Sequence, residues 1–99
     1  MTLPEFEWDA AKGRENLNTH GVAFEEALTV FADPLARIFE DPDHSESERR
    51  ELIIGHSVRQ RLLIVSFTER QPRTRIISAR QATADERRDY EENTTDSAT

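Results

Sequence analysis

The sequence contains no cysteine and only three glycines among its 99 residues. The lack of cysteine excludes disulfide bonds, cysteine-based zinc sites and thiolate catalysis, and it is typical of proteins in a reducing compartment. The shortage of glycine excludes phosphate-binding loops and dinucleotide-binding fingerprints. No Gly-x-Ser-x-Gly nucleophile elbow is present either. We therefore expect neither a thiol enzyme nor an enzyme with an organic cofactor.

Long hydrophobic segments are also missing. The longest aliphatic run, Leu62 to Val65, has four residues, whereas a membrane-spanning helix needs about 20. The segment from Met1 to Glu5 lacks the charged and apolar regions of a signal peptide. We expect a bacterial protein that has no membrane segment and stays in the cytoplasm.

Negative charge predominates, because 20 acidic and 13 basic residues give a net charge of -7. Such a chain is not expected to bind nucleic acids or anionic membranes through a general positive charge. Residues 57–84 are the exception, with six arginines and one acidic residue. Arginine binds phosphate and carboxylate groups in a bidentate manner. This segment therefore predicts either a local anion-binding surface or arginines that pair with the acidic majority of the chain.

Three helices are predicted from capping residues and apolar periodicity. Asp9 can cap a helix over residues 10–20 that ends at Gly21. A second helix over residues 22–31 has an apolar stripe at helical spacing, formed by Phe24, Ala27, Leu28 and Phe31. Thr83 and Glu86 form a capping box that opens a third helix, ending near Glu92.

Short apolar runs predict strands at residues 6–8, 35–39, 52–54, 62–68 and 74–79. Residues 41–48 are acidic and contain a proline, which predicts a surface loop. We expect one domain over residues 1–92, followed by a flexible C-terminal tail, 93–99. The order of elements predicts an α+β fold: a small antiparallel sheet of four to five strands with two N-terminal helices and one C-terminal helix.

Polar residues of the first helix form a candidate site. Lys12, Asn16 and His20 are spaced four residues apart, which places them on one helix face. His20 also suits a structural role, because a histidine at a helix C-terminus complements the helix dipole. The other histidines, His44 and His56, form no compact ligand cluster with it, so no metal site is predicted.

The run from Arg73 to Arg80 is the most basic strand candidate. Alternate strand residues face opposite sides, so Arg73 and Arg75 share a face. Arg80 joins them only if the strand contains a bulge or ends before Arg80. We expect the strand to end near Ala79.

A set of short motifs resembles the BrnT family of bacterial toxins. The motifs are Phe6–Asp9, Asn16, His20-Gly21, Phe24–Ala27, Asp33-Pro34, Gly55, Arg61–Leu63, Arg75–Arg80, Ala82-Thr83, and Glu86-Arg87 through Tyr90. The resemblance implies a RelE-like fold and a ribonuclease activity that arrests growth. It also implies a co-encoded ribbon-helix-helix antitoxin that neutralises the toxin and binds operator DNA, so that the toxin contacts DNA only indirectly.

The resemblance further implies roles for single residues. In a metal-independent ribonuclease the ribose 2′-hydroxyl attacks the adjacent phosphate, which requires a cation near the phosphate oxygens, a base and an acid. Arg75 and Arg80 are the expected phosphate ligands, assisted by Lys12, and His20 is the expected acid or base. Additional RNA contacts are expected from Arg59, Arg61 and Arg73.

The chain departs from the family pattern at several positions. Thr19 replaces a basic residue of many relatives, and Ala23 replaces a serine that caps the following helix. Gln60 and the Gln71-Pro72 pair stand where relatives have turn glycines. These differences leave a second interpretation open: a catalytically weak or inactive homologue that serves as an antitoxin-binding module in a transcriptional autoregulatory complex.

Overall fold

A computed structural model of the chain describes residues 5–42 and 49–97. Its elements are β1 (Glu5–Glu7), α1 (Ala10–His20), α2 (Phe24–Ala27) with a following 3-10 turn (Leu28–Ala32), β2 (Arg37–Glu40), β3 (Glu51–His56), β4 (Leu62–Arg70), β5 (Arg73–Gln81) and α3 (Ala84–Ser97). Most of the predicted loop over 41–48, including His44, lies outside the described residues. The same holds for residues 98 and 99 of the predicted tail.

The five strands form one mixed sheet in the order β1-β5-β4-β3-β2. The pairs β2–β3, β3–β4 and β4–β5 are antiparallel, as predicted. The expectation of a wholly antiparallel sheet is wrong, because β1 runs parallel to β5. These two strands are far apart in the sequence, so no tight hairpin constrains them to opposite directions.

The caps predicted for α1 are confirmed. The Asp9 carboxylate accepts a hydrogen bond from the Lys12 backbone N–H, at 3.0 Å. Gly21 ends the helix with a left-handed conformation, φ 70°, and its N–H donates to the Leu17 carbonyl. A glycine adopts this conformation without steric cost, which explains why the helix ends there.

The second predicted helix is shorter than expected. Only Phe24–Ala27 is α-helical, and Leu28–Ala32 continues as a 3-10 turn. A 3-10 turn has three residues per turn, so the buried stripe follows a spacing of three: Phe24, Ala27 and Val30. Leu28 and Phe31, which the helical pattern assigned to the stripe, are only partly buried.

The two faces of the sheet carry separate apolar clusters. On the helical face, Val22, Phe24, Ala27 and Val30 pack against strand residues that include Val65. On the opposite face, which we call the second face, Ile54, Leu62 and Ile64 pack against Tyr90 of α3. The helices that precede the strands therefore cover one face, and α3 contacts the other.

A β-bulge interrupts the pairing of β4 and β5. Ser66 pairs with Ser78, whereas Phe67 pairs with Ile76, so that Ile77 is an extra residue on β5. A bulge of one residue reverses the alternation of faces beyond it.

α3 begins at the predicted capping box, in which the Glu86 N–H donates to the Thr83 hydroxyl and the Thr83 N–H donates to the Glu86 carboxylate. Its predicted end near Glu92 is wrong, because the helix continues to Ser97. The Asn93 amide donates to the Asp89 carbonyl one turn earlier, so it supports the helix instead of ending it. No helix in the described part of the chain is long and apolar enough to span a membrane.

Candidate functional site

The arginines of β5 lie on the second face of the sheet. Arg73 and Arg75 precede the bulge and Arg80 follows it, so the shift at Ile77 brings Arg80 to the same face. The strand continues to Gln81, and the predicted end near Ala79 is therefore wrong. The alternation of faces left two ways to align Arg80 with Arg73 and Arg75, an early end of the strand or a bulge. The bulge is the one that the structure contains.

Two of these arginines contact carboxylates of β1. The parallel register places Glu5 opposite Arg73 and Glu7 opposite Arg75. Arg73 Nε lies 2.9 Å from Glu5 Oε2, and Arg75 Nη1 lies 2.6 Å from Glu7 Oε2. The Glu5 carboxylate, through its hydrogen bond and charge, raises the pKa of Arg73.

Arg80 forms a bidentate ion pair with Glu86 at the start of α3. Its Nη1 and Nη2 atoms donate to the two carboxylate oxygens at 2.8 Å each. The hydrogen bonds from Arg80, aided by the Thr83 N–H and opposed by partial burial, lower the pKa of Glu86 to about 2. Glu86 is thus a carboxylate at every physiological pH.

Lys12, Asn16 and His20 line one hollow, as their helical spacing predicts. The hollow has a volume of about 270 Å³ and is closed on the sheet side by the bulge residue Ile77. Lys12 and His20 are exposed at its rim. It therefore offers a cationic and a titratable group to a ligand at the free edge of β5.

Asp9, the N-cap of α1, is influenced by the charges of both Lys12 and Arg75. The Lys12 backbone N–H and then the charges of Lys12 and Arg75 lower the pKa of Asp9.

Asn16 is a structural residue in this hollow. Its side-chain amide donates to the carbonyls of Val22 and Ala79 at 2.8 Å each and accepts from the Ala79 N–H at 3.1 Å. The amide thus replaces a neighbouring strand at the free edge of β5. Because all of these groups are buried, Asn16 fixes α1 against β5 and sets the shape of the hollow.

Arg59 and Arg61 lie in and beside the hairpin between β3 and β4. Arg61 forms a two-pronged contact with Glu26 of α2. Arg59 is 71% exposed and reaches Glu26 only at 3.8 Å. Of the arginines predicted to bind RNA, Arg61 is the most enclosed, while Arg59 and Arg73 remain accessible.

The arginine-rich segment pairs with acidic residues of the chain, which is one of the two interpretations of its charge. Each of the five arginines predicted for the site lies within 4 Å of a carboxylate. The carboxylates of Glu5, Glu7 and Glu86 are partly exposed. A phosphate group could replace each of them on its guanidinium, because both anions bind the same donors.

A second concave surface on this face was not predicted from the sequence. It is a cleft of about 320 Å³ between α3 and strands β2 to β4, and its lining includes Arg37, Phe39, Tyr90 and Glu86. Glu86, which lines the cleft, is the ion-pair partner of Arg80, so the cleft lies beside Arg80 of β5. Arg37 and Phe39 are two residues apart in a strand, which places both side chains on one strand face. This spacing was the sequence signal from which a shared surface could have been predicted.

His56, for which the sequence predicted no role, lies beside Tyr90 and Asp33. Its ring packs edge-on against Tyr90, with 5.7 Å between centroids. Its Nδ1 atom lies 3.8 Å from the Asp33 carboxylate, which accepts the His56 backbone N–H at 2.7 Å. Within the described residues, no cluster of three or more histidines and carboxylates could hold a metal ion.

Most of the chain is similar to one protein family. Residues 8–86 match the family described as the ribonuclease toxin BrnT of type II toxin-antitoxin systems. The fold is similar to the crystal structure of the ribonuclease toxin BrnT from Brucella abortus, with a TM-score of 0.63 and 21% sequence identity over 82% of this chain and 99% of that chain. A search of curated proteins finds no match.

Proposed function

Because the chain belongs to the BrnT family of ribonuclease toxins of type II toxin-antitoxin systems, we propose that it is a metal-independent endoribonuclease of the bacterial cytoplasm. The proposal includes a RelE-like classification of the fold and neutralisation by a cognate antitoxin. The observation that carries it is the bulge at Ile77, which brings Arg75 and Arg80 to one face and whose residue Ile77 lines the hollow of Lys12 and His20.

The reaction assigns a role to each of these groups. The ribose 2′-hydroxyl attacks the adjacent phosphorus, the bond to the 5′-oxygen breaks, and a 2′,3′-cyclic phosphate remains. Arg75 and Arg80, assisted by Lys12, stabilise the charge on the non-bridging oxygens. His20 moves a proton, either from the attacking hydroxyl or to the leaving oxygen.

RNA enters by exchanging its phosphates for the carboxylates of Glu7 and Glu86. Arg75 and Arg80 are five residues apart on one strand, which separates their Cα atoms by about 15 Å. Once released from these carboxylates, the two long side chains turn toward each other and bind the one phosphate that the 2′-hydroxyl attacks. Arg59 and Arg73 bind flanking phosphates or bases, and Arg61 supports the hairpin that carries Arg59.

The second candidate function is an antitoxin-binding module without catalysis. The pairing of all five arginines with carboxylates favours it, because a guanidinium that binds Glu7 or Glu86 also suits an acidic segment of a partner. In both functions the antitoxin is a ribbon-helix-helix protein that covers the arginines and binds DNA, so that the toxin contacts DNA only through it.

Purified protein and single-stranded RNA in the presence of EDTA test the proposal. We expect cleavage products that end in 2′,3′-cyclic phosphate, and a loss of rate of about a hundredfold in Arg75→Ala and in Arg80→Ala. Arg88→Ala is the matched control, because Arg88 forms an exposed pair with Asp85 on α3, away from β5. Normal cleavage by the Arg80→Ala protein would contradict the assigned role.

Expression without the antitoxin separates the two functions. Growth arrest with RNA decay supports the ribonuclease. Accumulation of folded protein that binds the antitoxin but cleaves no RNA supports the binding module.

A further inference from the structure

Strand β2 presents an open edge with apolar side chains. It is the outermost strand of the sheet, and no other strand of the described residues pairs with its outer side. Ile38 is 55% exposed and Phe39 is 46% exposed, on opposite faces of the strand. An edge of this kind is a template for pairing with another strand.

We propose that β2 pairs with β2 of a second copy of this chain, in antiparallel orientation, to form a continuous ten-stranded sheet. This inference concerns assembly and is independent of the proposed ribonuclease activity. A two-fold axis perpendicular to the sheet relates the two copies, so the same strand serves both sides of the interface.

The backbone of β2 has the hydrogen-bonding groups for this pairing. β2 pairs with β3 from Arg37↔Ile54 to Glu40↔Glu51, and the bond from the Asp41 N–H to the Arg50 carbonyl, 3.1 Å, continues this register. In an antiparallel ladder, alternate residues direct their N–H and C=O groups inward. Arg37, Phe39 and Asp41 therefore bond to β3, and Ile38 and Glu40 direct theirs outward.

A two-fold axis through Phe39 uses all of these outward groups. Ile38 then lies opposite Glu40 of the partner subunit, and Glu40 lies opposite the partner's Ile38. Each pair exchanges two N–H to C=O bonds, which gives four hydrogen bonds in total. The alternative axis through Ile38 pairs Glu40 with Ala36, whose N–H already donates to the Asp33 carbonyl at 3.1 Å.

The side chains of this register are also self-complementary. The two Phe39 rings face each other in a pair without backbone hydrogen bonds, where Cα atoms are about 4.5 Å apart and side chains are closest. Arg37 lies opposite Asp41 of the partner subunit, twice, and opposite charges stabilise such cross-strand pairs. Within the described residues Arg37 itself forms no ion pair.

The absence of cysteine makes the register directly testable. Phe39→Cys places two thiols at the axis, about 4.5 Å apart between Cα atoms, which is within the range of a disulfide. Ile38→Cys is the matched control, because the two substituted positions are about 8 to 9 Å apart in this register and cannot be bridged. In a glutathione buffer we expect a covalent dimer from Phe39→Cys and monomer from Ile38→Cys. Equal cross-linking of both variants, or of neither, overturns the proposal.

Sedimentation velocity tests the pairing in the unmodified chain. Two short strands bury less surface than a standard interface, so we expect dimers at concentrations of tens to hundreds of micromolar. Arg37→Glu and Asp41→Lys should each weaken association about tenfold by placing like charges opposite each other, and the double variant should restore it. Circular dichroism confirms that each variant is folded.

Two outcomes overturn the pairing of copies. One is a chain that remains monomeric throughout this concentration range. The other is a Phe39→Cys protein that cross-links only to a cysteine-bearing antitoxin and not to itself, which would show that the edge receives a foreign strand.

Discussion

Arg61 and Glu26 form an enclosed ion pair that joins the hairpin between β3 and β4 to the start of α2. Arg61 Nε donates to Glu26 Oε2 at 2.9 Å, and its Nη2 donates to Oε1 and to the Gly21 carbonyl. Glu26 is only 6% exposed and also accepts the Ser57 hydroxyl at 2.7 Å. The pair therefore connects α1, α2 and the sheet. Arg61 thus has a structural role, which distinguishes it from an exposed arginine that binds phosphate.

Arg61→Ala should destabilise the fold strongly. It leaves the Glu26 carboxylate buried without its cation, and removal of one partner of a buried pair costs about 3 to 5 kcal/mol. Arg59→Ala is the matched control, because Arg59 is exposed and its contact with Glu26 is long, so we expect a change below about 0.5 kcal/mol. Urea unfolding of the two variants measures the difference. Similar stabilities would show that the Arg61 pair contributes no more than a surface contact.

Stability should fall in acid through two carboxylates. Arg61, as the main cause, lowers the pKa of Glu26, and Arg80 lowers the pKa of Glu86 to about 2. Because these folded-state pKa values lie below the unfolded value of 4.5, the stabilisation is complete above about pH 5 and is lost as the pH falls through the folded values. Thermal unfolding between about pH 7 and pH 2 measures the loss.

Glu86→Gln isolates the contribution of one pair. The variant should unfold at a lower temperature near neutral pH, and its unfolding temperature should decrease less between about pH 4.5 and pH 2. An acid profile that is parallel to that of the unmodified chain would show that the Arg80 pair does not contribute to the pH dependence.

Local signals in the sequence predicted the fold where a single side chain decides the geometry. Asp9 caps the start of α1 and Gly21 ends it, and the pair Thr83 and Glu86 caps the start of α3. Such caps are predictable because they act through neighbouring backbone groups. The 3-10 turn after Ala27 was not predictable in this way. The segment packs against Gly55 of β3, where an added Cβ would lie 3.1 Å from Val30 Cγ1, a contact between parts of the chain that are distant in sequence.

The candidate site was less predictable, because it depends on register. The parallel pairing of β1 with β5 and the bulge at Ile77 decide which carboxylate meets which arginine, and neither has a local sequence signal here. The spacing of Lys12 and His20 did predict that both lie on one face of α1. The buried amide of Asn16 between them was not foreseen, since its partners, Val22 and Ala79, come from distant segments.

Asn16→Asp should be strongly destabilising. The substitution keeps the size of the side chain but directs a carboxylate at the carbonyl oxygens of Val22 and Ala79. In the unmodified chain these two oxygens accept hydrogen bonds from the Asn16 amide. Burial of a charge without a partner, together with lost hydrogen bonds, is expected to cost about 3 kcal/mol or more. Asn18→Asp is the control, because Asn18 is exposed on the same helix. Equal denaturation midpoints for the two variants would contradict the role of Asn16.

Two glycine-to-alanine substitutions should have opposite effects. At Gly55 an added Cβ would lie 2.9 Å from the Ala36 Cβ, 3.0 Å from Asp33 Oδ2 and 3.1 Å from Val30 Cγ1, so the 3-10 segment and the residues after it have to move away from β3. Such overpacking costs about 1 to 3 kcal/mol. At Gly13, inside α1, the nearest atoms are ordinary contacts at 3.4 Å from the Trp8 ring.

Gly13→Ala should therefore stabilise the fold by about 0.5 to 1 kcal/mol, because alanine has less backbone freedom to lose in a helix. Thermal unfolding compares both variants with the unmodified chain, and we expect shifts of several degrees in opposite directions. An unchanged midpoint for Gly55→Ala would mean that the 3-10 segment can move outward freely. In that case Gly55 would not hold this segment and β3 at their present separation.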